Sequence, residues 1–224
     1  MKNCYALKTV ALSAICLLSL SSSLHAQAFR KGSFILSLSE GWTNSIYTTT
    51  DLSGRRSETG KQGEIIGVRD PITLEYGITR HWGIGLSSGS DFYYLDPSLY
   101  YGFSTGTSKA KATTSEFTLN GSYHFYVSRH SDLSLIASFG GSSVSLTNTD
   151  RDHPYQYTAS GNVLRLAAHA RYYPRKHFGF MGMASAFTSN ASPAKVKGNT
   201  VALTTSTGIS GFALEFGLCF RFTK

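Results

Sequence analysis

Charged residues and long apolar runs are both scarce in this sequence. Only 15% of its 224 residues are charged, and its mean hydropathy is -0.11. The hydropathy is too low for helical membrane spans, each of which needs about 20 predominantly apolar residues. The chain does carry 22 Gly, 13 Tyr and 14 Phe. Glycine weakens helix interiors and aromatic side chains favour pleated sheets, so the composition predicts a single all-β domain rather than a helical bundle.

The N-terminus has the pattern of a secretory signal peptide. Lys2 and Lys8 give a positively charged N-terminal region, and residues 9–20 form a short apolar run. Residues 26–28 read Ala-Gln-Ala, a small-residue cleavage motif. We predict a cleaved signal over residues 1–28, with cleavage after residue 26 as the near alternative. An uncleaved membrane anchor would need a longer apolar run.

Cysteine is also scarce, and its positions limit the chemistry of the mature chain. Cys4 and Cys16 lie in the signal, so the predicted domain over residues 29–224 keeps only Cys219 and forms no internal disulfide. The formal net charge is +8, which favours anionic partners. Because an exported protein meets lipopolysaccharide rather than nucleic acid, we predict outer-membrane lipid and lipopolysaccharide as partners and no nucleic acid.

The C-terminus has the clearest strand pattern in the chain. Every second residue from Phe212 to Phe222 is apolar, and the residues between them include Glu215 and Arg221. A period of two is typical of a β-strand with one apolar face. The same alternation recurs upstream and predicts eight strands, although a count of seven or ten also fits. The predicted strands are 33–42, 66–79, 82–93, 115–127, 132–141, 161–174, 177–188 and 208–222.

Short and long connections alternate between these strands. Three are short and basic, and their histidines, His81, His130 and His177, recur at intervals of 49 and 47 residues. The other four are long and rich in Ser, Thr, Gly and Tyr; they cover residues 43–65, 94–114, 142–160 and 189–207. Tight turns at one rim and long loops at the other are typical of outer-membrane barrels, in which the tight turns face the periplasm.

Lysine placement indicates which face of the sheet points outward. A soluble lipocalin-like barrel would point its apolar set inward and carry lysines on its outer face. All the lysines here fall in the signal, the predicted loops and turns, or the terminus. We therefore predict a closed antiparallel transmembrane β-barrel with its apolar face toward lipid. An aromatic girdle near the short turns fits this; its members are Tyr76, Trp82, Tyr123, Tyr126, Tyr172, Tyr173 and Phe178.

The residues that alternate with this apolar set along each strand would then face a narrow interior. Their charges are mixed, and mutual pairing offsets much of the cost of burying charge. Because eight strands leave a lumen just wide enough for side chains, we predict a filled barrel rather than an open pore. The predicted lumen network is Glu75, Glu116, His124, Arg165, His169, Arg171, Glu215 and Arg221, with Asn120 beside it.

These features together resemble the small outer-membrane barrels typified by OmpX and the OmpA transmembrane domain. The resemblance covers nearly all of residues 29–224 and rests on pattern rather than on a residue motif. It implies location in the outer membrane of a Gram-negative cell. It also implies that the barrel-assembly machinery reads the aromatic end of the last strand, Phe222 with Phe220 before it, although Thr223 and Lys224 follow.

The predicted role is structural or surface-interactive, with the long loops as recognition elements. Tyrosine suits binding surfaces, and the loop candidates are Tyr93, Tyr94, Tyr100 and Tyr101.

The first alternative is a narrow porin or solute channel. The second is a lipid A-modifying enzyme with an activated serine, but the His-x-Ser pattern of lipid A deacylases is absent. The histidines show no paired ligand spacing, so we predict no catalysis, no metal and no cofactor.

Overall fold

The structure, a computed structural model, describes residues 28–51, 56–58, 64–95, 110–148, 155–197 and 204–223. Within these ranges the regular structure is β-sheet, and none of the described segments forms a helix able to cross a membrane. The strands are β1 (Phe34–Asp51), β2 (Arg56–Glu58), β3 (Glu64–Arg69), β4 (Ile72–Gly77), β5 (Trp82–Leu95), β6 (Ala110–Val127), β7 (Ser131–Asn148), β8 (Tyr155–Tyr172), β9 (Phe178–Lys197) and β10 (Thr204–Phe222).

All the strands belong to one antiparallel sheet that closes when β10 pairs with β1. Strands β2, β3 and β4 share the second position of the ring, because all three pair with β1. The register runs unchanged from β3 into β4, and the interruption falls at Pro71, which has no N–H to donate. The ring therefore has eight positions, and the predicted closed antiparallel barrel is confirmed.

The register also fixes the tilt of the strands. Following paired residues once around the ring from Phe34 leads back to β1 at Asn44, ten residues farther along. A shear of ten over eight strands corresponds to a tilt of about 40° from the barrel axis. Rows of paired residues consequently climb away from the short-turn rim as they run from β1 through β4 and β5 to β6.

The predicted strand ends agree with the structure at the short-turn rim and fall short at the other rim. At the short-turn rim they agree to within two residues. At the far rim β1 reaches Asp51 instead of residue 42, and β9 reaches Lys197 instead of residue 188. These extensions are rich in Ser, Thr and Asn on both faces, so they lack alternation although their backbones stay paired. Lys111, Lys195 and Lys197, all expected in loops, lie in β6 and β9 for this reason.

The outer face of the barrel carries a wide apolar band. Phe212, Ile66 and Leu119 are 71%, 68% and 66% exposed, and many other large apolar side chains share this face. Monomeric soluble proteins rarely expose contiguous apolar surface of this extent. Glu40 is a charged side chain on the same face, exposed between Leu38 and Trp42. An apolar band of this kind is the outer surface expected of a membrane-embedded barrel.

Candidate functional site

The interior of the barrel is filled by side chains in four layers. The layer at the short-turn rim is apolar, two charged clusters follow it, and a second apolar layer lies toward the far rim. Strand alternation produces this stacking, because every second residue of each strand points inward. The predicted lumen residues are all buried, as are three charged residues that the sequence analysis did not single out, namely Arg69, Asp91 and Asp132.

The first layer, called here the mouth layer, consists of Ala28, Phe29, Ile35, Tyr173 and Cys219, none more than 1% exposed. Tyr173 was expected in the outer girdle, but Tyr172 before it points outward, so alternation turns Tyr173 inward. Burial raises the pKa of the Tyr173 phenol well above its ordinary value, so this side chain stays neutral.

Arg221 completes this end of the lumen. Its guanidinium lies 4.5 Å from the centroid of the Tyr173 ring, a cation–π contact. Its Nε also donates to the backbone carbonyl of Lys176 at 3.0 Å. The predicted network member Arg221 is therefore buried at the mouth, where it contacts an aromatic ring and a turn carbonyl.

The second layer, called here the His124 cluster, consists of Glu75, Ser122, His124, Asp132 and Arg171. His124 Nδ1 lies 2.7 Å from Asp132 Oδ1, and its Nε2 lies 2.9 Å from Glu75 Oε1. Arg171 donates to the same two carboxylates, to Glu75 and, at 3.2 Å, to Asp132 Oδ2. Both carboxylates are thus shared between one imidazole and one guanidinium.

The contacts of His124 determine what this cluster can do chemically. Ionised carboxylates only accept hydrogen bonds, so both ring nitrogens donate and the imidazole carries both protons. The cluster then holds two positive and two negative charges. Ser122 Oγ lies 3.1 Å from His124 Nε2, which gives a Ser-His-Asp series. Because Nε2 donates to Glu75, it has no lone pair to accept the serine proton, and the geometry does not activate a nucleophile.

The third layer, called here the Arg69 cluster, consists of Arg69, Asp91, Glu116, Arg165 and Glu215. Arg69 is bonded to all three carboxylates: to Asp91 at 3.0 Å, to Glu116 at 3.0 and 3.1 Å, and to Glu215 at 3.1 Å. Arg165 donates to Glu116 at 2.8 Å. Three carboxyl groups thus face two guanidiniums, and Glu116 is the carboxylate bonded to both cations.

His169 lies between the two clusters without joining either. It is 5% exposed, and neither ring nitrogen has a hydrogen-bond partner among the described residues. It pairs in the ladder with Ser134, whose hydroxyl is equally unpartnered in this part of the chain. A cavity of about 30 Å³, lined in part by Pro71, Asn120 and Arg165, also lies in this region. Its size corresponds to about one water molecule.

The fourth layer is apolar and is called here the far layer. Its members are Ile65, Tyr93, Ala112, Val144, Ala159, Phe187, Ala191, Ile209 and Ala213. Tyr93, expected as a loop contact, is 1% exposed on β5 and belongs to this layer. Gly67 makes room for it, because a Cβ there would lie 2.5 Å from the tyrosine ring. Tyr94 is in β5, and the other loop candidates, Tyr100 and Tyr101, lie outside the described residues.

The three short turns share one construction. The histidine carbonyl of each turn accepts a backbone N–H from the next hairpin; the three pairs are His81 with His124 at 2.8 Å, His130 with Tyr173 at 2.6 Å and His177 with Arg221 at 2.9 Å. These bonds hold the turns against their neighbours around the rim. The cations beside the histidines, Arg80, Arg129 and Arg175, are exposed.

The last strand ends on aromatic side chains with different surroundings. Phe222 is 48% exposed and its ring centroid lies 6.4 Å from that of Phe34 on the neighbouring β1. Phe220 has the parity of the outer face but is only 2% exposed, because Phe178 covers it with ring centroids 5.6 Å apart. Phe222 is thus the more accessible of the two.

The solved structures similar to this chain include small outer-membrane barrels. OprG of Pseudomonas aeruginosa matches with a TM-score of 0.54 and 13% identity, over 90% of this chain and 100% of OprG. Ail of Yersinia pestis, in complex with the heparin analogue sucrose octasulfate, matches with a TM-score of 0.48 and 13% identity, over 86% and 99%. The outer membrane protease OmpT of Escherichia coli matches with 0.49 and 9%, over 91% and 100%.

No family model matches the chain, and no curated protein matches it. The likeness to OprG, together with the closed eight-position ring, shows the fold: the chain is a small outer-membrane-type β-barrel.

Proposed function

We propose that this protein is an integral outer-membrane barrel with a closed lumen and a structural or surface-interaction role, and that it is not an enzyme. The observation that carries the proposal is the layered interior. Two ion-pair clusters fill the middle of the barrel, and an apolar layer lies at each end of them. A cleaved signal peptide, insertion by the assembly machinery with Phe222 as the signal, and contact with lipopolysaccharide belong to the same proposal.

The energetics of this interior favour a plug over a channel. A solute crossing the barrel would have to pass Tyr93 and Phe187 in the far layer and Phe29 in the mouth layer. It would also have to displace guanidinium–carboxylate pairs, and breaking a buried pair costs about 3 to 5 kcal/mol. The two clusters are therefore better suited to holding the strands together than to conducting ions. A narrow porin remains the alternative that the first experiment tests.

The far rim supports a role in surface contact. The strands continue beyond the apolar band as paired segments rich in Ser and Thr, and Lys111 is exposed there on β6. This paired polar sheet beyond the apolar band carries the connections that follow. We propose that these connections are where the protein meets its partner.

Conductance in planar bilayers tests the closed lumen. Purified barrel, refolded and shown to migrate differently on gels before and after boiling, is added to the bilayer beside a general porin as a positive control. We expect no sustained single-channel conductance. Steady channels would support the porin alternative instead. Unchanged migration on boiling, with the protein in the soluble fraction, would contradict membrane insertion itself. A mass change in lipid A on expression would support the enzyme alternative.

A further inference from the structure

An apolar groove crosses the outer face of the barrel just above the short-turn rim. It has a volume of about 560 Å³, within the range of small-molecule sites. It lies on four neighbouring strands, β1, β4, β5 and β6. The apolar residues that line it are Phe34, Leu74, Tyr76, Ile84, Leu86 and Leu119, and Glu75, Gly85 and Asn120 lie between them.

The groove follows from the order of residues along two adjacent rows of the sheet. One row contains Phe34, Tyr76 and Ile84, and continues to Gly121 on β6. A Cβ at Gly121 would meet no atom within 4 Å, so the outer surface is open at this position of the row. The next row holds the three leucines of the groove. Because rows climb from the rim toward β6, the groove runs obliquely from the rim into the apolar band.

Cationic residues lie in the two turns that flank the lower end of the groove. Lys31 is exposed in the turn just before Phe34. This turn is fixed against the end of β4, since Gly32 N–H donates to the Gly77 carbonyl at 2.8 Å. Arg80 is exposed in the turn after β4, where Thr79 Oγ1 accepts the N–H of Trp82 at 2.9 Å.

The two segments at this end of the groove, residues 28–34 and 76–86, contain cations and no Asp or Glu. Glu75 is the one acidic residue among those that line the groove, and its carboxylate is bonded to His124 and Arg171 in the lumen. An apolar groove that is flanked at one end by two exposed cations matches a molecule with a hydrocarbon chain and an anionic head.

We propose that the groove binds one anionic glycerophospholipid of the leaflet at the short-turn rim, with an acyl chain along the groove and the phosphate at Lys31 and Arg80. The proposal depends on the membrane location proposed above. Cations near a membrane surface attract anionic headgroups by about 1 kcal/mol each. A zwitterionic lipid has the same phosphate but carries its own cation, so it benefits less from Lys31 and Arg80.

Native mass spectrometry of the detergent-solubilised barrel tests this binding. The protein is titrated with phosphatidylglycerol and with phosphatidylcholine of identical acyl chains. We expect phosphatidylglycerol to bind at least about fivefold more tightly, in line with two surface cations. Lys31→Gln with Arg80→Gln should abolish that preference. Leu86→Trp, which fills the groove, should weaken both lipids.

Two matched controls separate a site from general attraction. Arg129→Gln with Arg175→Gln removes the same charge from other turns of the same rim and should change neither affinity by more than about twofold. Leu166→Trp places the same bulk on the lipid face outside the groove and should have no effect. Equal affinities for the two lipids, or an equal loss in the control charge variant, would overturn the proposed site. These outcomes are read only on protein whose migration is heat-modifiable, so they leave the proposed membrane location intact.

Discussion

Phe29 lies flat on the imidazole of His124, with ring centroids 3.5 Å apart and 9° between the ring planes. The segment before β1 is thereby drawn into the mouth of the barrel. It covers the cationic ring that links Glu75 and Asp132. Excluding water from these groups strengthens their mutual attraction, because the surrounding dielectric is lower.

Removing the Phe29 ring should destabilise the barrel. We expect Phe29→Ala to lower the free energy of unfolding by about 3 kcal/mol, from the loss of a buried aromatic side chain. Phe29→Leu keeps apolar volume over His124 and should lose less. Urea titration of vesicle-inserted protein, followed by tryptophan fluorescence, measures both. Equal stability of wild type and Phe29→Ala would show that the stack does not contribute.

The contacts of Ala28 bear on the signal cleavage site. Ala28 is fully buried, and its N–H donates to the Ser128 carbonyl at 2.9 Å. Cleavage after residue 28 would remove this contact, whereas cleavage after Ala26 keeps it. We therefore predict, between the two sites that the sequence allows, a mature chain beginning at Gln27. The intact mass of protein extracted from outer membranes measures this, and a mass for a chain beginning at Phe29 would contradict it.

The two buried arginines nearest the short-turn rim should differ in their effects. Arg171→Ala leaves Glu75 and Asp132 with only His124 between them and should cost about 3 to 5 kcal/mol. Arg221→Ala removes a contact with the Tyr173 ring and a bond to a carbonyl, and should cost about 2 kcal/mol.

Arg129→Ala, in an exposed turn, is the control for both and should change little. Urea midpoints of the three variants in the same vesicles give the comparison. Unchanged stability in both Arg171→Ala and Arg221→Ala would exclude a stabilising network.

Alternation along the strands predicted which side chains face inward, but not which of them meet. Parity placed Glu75 and Arg171 in the interior, because each lies between outward apolar neighbours. Their contact joins residues 96 positions apart and depends on the shear of the closed ring, which a single sequence does not contain. The same limit applies to Arg69, which reaches carboxylates from three different strands.

Arg69 and Asp91 lie where the alternation of apolar and polar residues along their strands is interrupted. Arg69 has the same parity as Glu75 in the predicted strand 66–79, but Pro71 interrupts the alternation between them, since proline cannot donate to the ladder. Here the register passes through Pro71 unchanged. Asp91 shares the parity of the inward positions of β5, but Ser and Gly neighbours weaken the alternation there. Both would be found by extending the parity of the neighbouring apolar residues through these interruptions.

The two glutamates of the Arg69 cluster differ in how many guanidiniums they bond. Glu116 bonds both guanidiniums, so Glu116→Gln should cost about 3 kcal/mol. Glu215 bonds Arg69 and accepts from Ser39 Oγ at 3.1 Å, and its loss leaves Arg69 bonded to Asp91 and Glu116. We expect Glu215→Gln to change stability by less than about 1 kcal/mol. Urea unfolding of the two isosteric variants measures the difference. A loss at Glu215 equal to that at Glu116 would contradict this account of the charges.

Glu40 offers a test of which solvent surrounds the barrel. Its side chain is exposed on the outer face of β1, and its ladder partner on β10 is Phe216, which is 60% exposed on the same face. In a bilayer, a charged side chain at this position is unfavourable, so Glu40→Leu should stabilise the vesicle-inserted protein by about 1 kcal/mol. Glu40→Gln removes the charge without adding apolar surface and should give part of that gain.

If water surrounded this face, the leucine would gain nothing and would enlarge an exposed apolar patch that promotes aggregation. Urea midpoints of the three proteins, with light scattering of each after dilution from detergent, therefore separate a lipid-facing surface from a water-facing one.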